Sequence, residues 1–226
     1  MKAKFGAIVV GGSGKLGGHV VTKNRQGYAF RTKVTPINRK TSYQTIQRNS
    51  FGDASQAWRA LSASQRTAWE SFAGDISKSN IWGDKYQPTG KNAYALINLN
   101  IALTGGSAVS DPPLSTPATA LTSFAVGTNT TAAQTLTFGV SPVPTGMKVI
   151  LYATRPVSAG VGSPGERFRK FSTVAAAATT PVNSFAAYST KFGTPVSGKK
   201  IFFKAVVINI TTGQRSSEIS ANGIVA

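Results

Sequence analysis

The chain has 226 residues, with 25 Lys and Arg against 7 Asp and Glu, one His and no Cys, and a formal net charge of +18. So few carboxylate, imidazole and thiol groups, scattered along the length, argue against an enzyme and exclude a thiolate metal site or a disulfide framework. The 41% hydrophobic, 14% charged composition is globular, and no apolar run reaches the roughly 18 residues of a membrane span, so a soluble protein without a membrane partner is expected.

Residues 1–52 carry ten Lys and Arg and no acidic residue, which is more than half of the net charge. Up to Asn38 the segment is rich in glycine and shows no sustained helical period, so an extended basic arm over 1–40 is expected, with little capacity to bury itself. The alternation from Gly18 to Val34 also suits a β-hairpin turning near Asn24 to Gly27. Gly12-Ser-Gly-Lys-Leu-Gly17 fits a dinucleotide-binding glycine pattern, but Gly18 and Gly27 interrupt any following helix, and the first acid is Asp53. The glycines then serve a bending backbone, and no nucleotide cofactor is implied. His19 has no partner acid or thiol nearby in sequence, so no catalytic or metal role is assigned to it.

From Thr41 the period becomes helical: Tyr43, Ile46, Phe51, Ala54, Trp58 and Leu61 fall on one face. Thr41 with Gln44 and Ser62 with Gln65 have capping-box spacing, and a second helix runs to about Ala73, stopping at Gly74. A helical hairpin packed through Tyr43, Phe51, Trp58, Leu61, Trp69 and Phe72 is expected within 41–110. Gly52 weakens its first helix by about 1 kcal/mol relative to Ala. Thr89 caps a further short helix with Tyr94, Ile97 and Ile101 on one face, ended by Gly105-Gly106.

Beyond Asp111, Thr-, Val- and Phe-rich runs at about 118–126, 134–140, 147–157, 167–174, 184–190, 199–209 and 216–225 alternate with Gly, Pro and Asn turn signals. Seven such strands over 111–226 resemble an antiparallel immunoglobulin- or fibronectin type III-like β-sandwich, which makes the whole chain α+β. Aromatic residues such as Tyr188 and Phe192 leave a glycan-binding surface on that body open.

A second resemblance covers residues 5 to about 100. Gly11-Gly-Ser-Gly-Lys-Leu-Gly-Gly18, Asn24-Arg-Gln-Gly-Tyr28, Arg31-Thr-Lys-Val-Thr-Pro-Ile-Asn-Arg-Lys-Thr41 and Ser55-Gln-Ala-Trp-Arg-Ala-Leu-Ser-Ala-Ser-Gln-Arg-Thr-Ala-Trp69 resemble a family of uncharacterised bacteriophage and prophage proteins. That family has a glycine-rich basic start, a V-x-P-x-N-x-R/K-T step and a W-x-x-L-x-x-x-Q-R-x-x-W hairpin; here Arg39-Lys40 follow Asn38, a departure from the usual N-P-R-T step. The resemblance implies a phage origin and a place in the virion, reached after synthesis in the host cytoplasm, and brings no catalytic residues.

Two functional expectations follow. In the first, the chain is a non-enzymatic virion structural protein, a capsid-associated, decoration or connector component, whose arm docks on other virion proteins and on copies of itself. In the second, Lys15, Lys23, Arg25, Arg31, Lys33, Arg39, Lys40 and Arg48 contact the phosphates of DNA or RNA through residues 1–52. Neither requires a metal or a cofactor.

Overall fold

A computed structural model describes residues 2–6, 11–24, 27–80, 82–113, 118–165 and 167–226. The architecture is α+β, with four helices and antiparallel sheets among the described residues. The chain packs as two compact units. One comprises residues 1–96 with 110–112, and the other 97–109 with 113–226. Residues 1–40 and 41–96 share one unit, and the third helix contributes its first half to that unit and its second half to the other.

In the first unit, strands β1 (Lys2–Ala3), β2 (Gly14–Leu16), β3 (His19–Asn24) and β4 (Gly27–Thr32) form a four-stranded antiparallel sheet in the order β1-β4-β3-β2. The hairpin of β3 and β4 turns at the expected place, with Asn24 opposite Gly27. The segment is thus a small sheet where a single extended arm was the other expectation. Its reason is a local apolar cluster: the Phe5 ring stands edge-on to Tyr28 at 4.7 Å and 5.8 Å from Phe30, and Val21 is buried. The glycine pattern at 12–17 leads into strand β2, not a helix, so the phosphate-cradling geometry is missing.

Helix α1 (Ser42–Ala60) begins at Thr41, whose hydroxyl accepts from the Gln44 amide, and α2 (Ala63–Asp75) begins with a complete Ser62–Gln65 capping box. α2 runs through Gly74, where the glycine suggested a stop, to Asp75, with Ile76 as its C-cap. Trp69 is wholly buried, touches Phe72 and Tyr94 edge-on, and its indole N–H donates to the Ser110 carbonyl at 2.7 Å. Strands β5 (Lys78–Ser79) and β6 (Lys85–Tyr86) pair as a short hairpin. Helix α3 (Gly90–Thr104) starts against α2: the Gly90 amide donates to the Glu70 carboxylate at 2.9 Å, and a Cβ on Gly90 would lie 2.8 Å from the Glu70 backbone nitrogen. Thr89 caps the helix as expected, and Gly105, at φ +78°, ends it.

In the second unit, β7 (Phe124–Asn129), β8 (Gln134–Phe138) and β12 (Val182–Asn183) form a three-stranded sheet in the order β12-β8-β7. β9 (Met147–Ala153), β10 (Val157–Ser158), β11 (Arg169–Val174), β13 (Lys199–Asn209) and β14 (Ile219–Ile224) form a five-stranded one. β13 is its spine: β14 pairs along one edge, β9 and then β10 along the other, and β11 lies outside β9. Alternate residues of β13, Ile201, Phe203, Ala205 and Val207, enter a core shared with Leu136 and Phe138 of β8 and Val149 and Leu151 of β9.

The other face of β13 and β9 carries Val206, Ile208 and Ile150, which are also buried. The second half of α3 belongs to this unit, with Ile97 and Ile101 buried and the Asn100 amide donating to the Gly213 carbonyl at 3.0 Å. Lys148 and Lys170 donate to the last carbonyls of α3, those of Thr104 and Leu103, at 2.7 and 2.8 Å. They satisfy orphan acceptors at the negative end of the helix dipole.

Two strand expectations need correction. The run 184–190, read as β, falls almost wholly within helix α4 (Phe185–Phe192). Its Ala186-Ala187 pair favours helix, and Tyr188 and Phe192, four apart, pack together at 4.9 Å. Tyr188 is wholly buried, with its hydroxyl donating to the Thr154 carbonyl, so it lines no surface site. The first run, expected from 118, becomes strand only at Phe124. Among the described residues, no helix is long and apolar enough to cross a membrane.

Candidate functional site

The cations singled out by sequence divide between the faces of the N-terminal sheet. Residues directly opposite in an antiparallel pair share a face; Lys15 lies opposite Val20, and Val20 opposite Arg31, so both cations stand on one face with Val20 between them. Lys23 lies on the other face, opposite Tyr28, with its ammonium 5.4 Å from the centre of that ring. Arg25 falls outside the described residues. The Lys33 amide closes the end of the hairpin onto the Gly18 carbonyl at 2.8 Å.

Between the sheet and α1, Asn38 gathers the next group. Its side-chain oxygen accepts from the Lys40 amide at 3.2 Å and from the Arg48 guanidinium at 2.9 Å. Lys40 adopts φ +47°, a left-handed conformation that an Asx-type bond from Asn38 helps to hold. Arg39, Lys40 and Arg48 are all exposed. The sequence thus foresaw the charge but not its partition: two cations on one sheet face, one on the other, and a group fastened to Asn38.

The six residues expected to pack the two helices divide four to two. Leu61 and Trp69 are buried, Phe72 touches Trp69, and Trp58 meets Tyr94 at 5.6 Å. Tyr43 and Phe51 do not join them; they are 58% and 56% exposed, and Ile46 on the same face is 58% exposed. The physical reason is the position of the aromatic cluster. It gathers at the end of α1 adjoining Leu61–Ser62, while the apolar stripe of the helix continues into its first half. Just before the helix, Val34 and Ile37 are 73% and 79% exposed. A stripe of large apolar side chains therefore accompanies Lys33, Arg39, Lys40 and Arg48 through residues 34–51. Helical period revealed the stripe; it carries no information on what covers it.

A second feature, missed in the sequence, is an open hollow of about 300 Å³ lined in part by Phe5, Tyr28, Asn80, Trp82 and Asp84. Lys4 reaches into it, with its ammonium 3.1 Å from the Asp84 carboxylate and 5.6 Å from the centre of the Trp82 ring. Hydrogen bonds from Asn80 and then from Lys4 hold the Asp84 carboxyl below the usual carboxylate range. Trp82 and Asp84 lie 78 and 80 residues from Lys4, which is why no local pattern pairs them.

His19 is exposed on β3, opposite Leu16 and Thr32. Among the described residues, no three His, Asp or Glu side chains gather into a group able to hold a metal ion. Comparison with protein-family models, with curated proteins and with solved structures finds no match for the chain.

Proposed function

We propose that the protein is a non-enzymatic structural component of a bacteriophage particle, capsid-associated, decorating or connecting, whose N-terminal segment docks on neighbouring subunits. The observation that carries this reading is the stripe of Val34, Ile37, Tyr43, Ile46 and Phe51, each more than half exposed and flanked by cations. Large apolar side chains left exposed in such number along one segment mark an interaction site, and multivalent assembly supplies their burial. The likeness of residues 5 to about 100 to phage and prophage proteins supports the same setting.

In this proposal residues 111–226 are a fibronectin type III- or immunoglobulin-like sandwich serving as the body. Supporting it, counted along the chain without the short β10, the first, second and fifth strands share one sheet and the third, fourth, sixth and seventh the other. That connectivity suits a Greek key of this class. Such modules commonly act as spacers and assembly units.

The alternative is a nucleic-acid-binding protein. It is favoured by the ten cations of residues 1–52, a segment with no acidic residue of its own, and by the placing of Lys15 and Arg31 on one sheet face. Sedimentation of the purified chain at low and high salt, with and without nuclease, separates the two. Assembly through protein contacts gives discrete particles that survive nuclease. A monomer that enlarges only with nucleic acid, and returns to monomer on nuclease or salt, establishes the alternative instead.

A further inference from the structure

Strand β1 occupies one edge of the N-terminal sheet and β2 the other, and residues 4–13 connect them. Three strand spacings amount to about 14 Å. The eight of them that follow Phe5 can span about 26 Å when extended. The connection is therefore about twice as long as the sheet is wide.

The contacts that seat β1 and the two residues after it form a compact set. Lys2 and Ala3 pair with Ala29 and Tyr28 at the outer edge of β4. Phe5 packs on Tyr28 and Phe30, and Lys4 enters the hollow beside Trp82 and Asp84. The receiving side is built by residues other than those it receives. The Asn80 side-chain oxygen accepts from the amides of Trp82 and Asp84 at 2.9 and 3.0 Å, its amide donates to Asp84 at 3.1 Å, and Gly83 turns at φ +83°. The tip of the β5–β6 hairpin thus fixes an aromatic ring and a carboxylate where a lysine on an edge strand meets both.

We propose that in the assembled particle this segment is exchanged between copies of the chain, so that β1, Lys4 and Phe5 of one copy seat on β4, Trp82 and Asp84 of the next. The inference rests on the assembly reading above and names its partner as a second copy. The socket is complementary to these residues in cation, ring and strand edge, and a neighbour's identical segment makes every contact that the chain's own makes. Exchange therefore sacrifices no contact while linking subunits by strand addition. The length of residues 6–13, which follow the exchanged segment, supplies the reach.

Because the chain has no cysteine, the engineered thiols are the only ones present, and the mass tag tells a mixed pair from a like pair. Full-length chains carrying Lys2→Cys are mixed before assembly with mass-tagged full-length chains carrying Ala29→Cys, then oxidised and run without reductant. Exchange predicts a disulfide-linked pair, one chain of each kind, in the particle fraction. The double variant Lys2→Cys/Ala29→Cys should there give linked chains of at least twice the monomer mass. Particles whose double variant closes only within one chain, with the mixed single variants left unlinked, overturn the exchange and leave the assembly reading standing. A chain that sediments as a monomer throughout overturns both. Ala3→Cys with Tyr28→Cys, the next pair in register, repeats the measurement if the first pair does not fold.

Discussion

Gly52 and Gly213 show how differently two glycines stand in one chain. Gly52 lies inside α1 with nothing within 4 Å of where a Cβ would be, so it contributes only backbone freedom to the unfolded state. Gly52→Ala should raise stability by about 0.5–1 kcal/mol, read as a higher urea midpoint at unchanged slope. Gly213 turns at φ +64°, and a Cβ there would stand 2.5 Å from the Ile97 carbonyl oxygen. Gly213→Ala should lower stability by at least about 1–3 kcal/mol in the same measurement. The sequence showed Gly52 as a weak point in a helix and Gly213 as a turn residue. It did not show that the turn lies against a helix more than a hundred residues earlier, because close approach between distant segments leaves no local pattern.

At the scale of elements, the lysines closing α3 set a pH dependence. Burial, and then the neighbouring charge of Lys148, hold Lys170 below the ordinary lysine range. With the folded pKa below the unfolded one, the unfolded chain binds more protons in the interval between them. The contribution of Lys170 to stability therefore rises with pH across that interval, as relief of the charged form's burial. Lys170→Met should remove this rise, seen by comparing urea midpoints of the two proteins from neutral pH up to the ordinary lysine range. Replacing both Lys148 and Lys170 by Met should also speed amide exchange in the last turn of α3, whose carbonyls lose their donors. Elements with strong local signals were legible beforehand: the capping box at Ser62, the cap at Thr89 and the long apolar run of β13. Helix α4 was misread because Phe, Tyr, Ser and Thr suit strands in composition, although the four-residue spacing of Tyr188 and Phe192 is helical. Strands β1 and β5 are two residues long and are specified by distant partners, which no propensity records.

For the whole molecule, the assembly reading predicts that fold and association separate. Tyr43→Ser, Ile46→Ser and Phe51→Ser combined replace side chains that are more than half exposed, so thermal unfolding should shift little while particle formation is lost. Particles that form normally from the triple variant would remove the α1 stripe from the interface. In the candidate site, the sequence made visible the cations and the apolar period, both properties of composition and spacing. It hid the hollow around Lys4, Trp82 and Asp84, because that arises only when β1 meets the β5–β6 hairpin. The seat of α3 bears on how the chain is made. Asn100 finds its partner in Gly213, 113 positions later, and Ile97 lies against the same turn. A ribosome delivers α3 long before that turn exists, so Ile97 and Ile101 in its second half must wait for this cover while the following strands are synthesised. Chains interrupted before residue 213 would lack this cover over the second half of α3, which the hairpin at the end of β13 supplies.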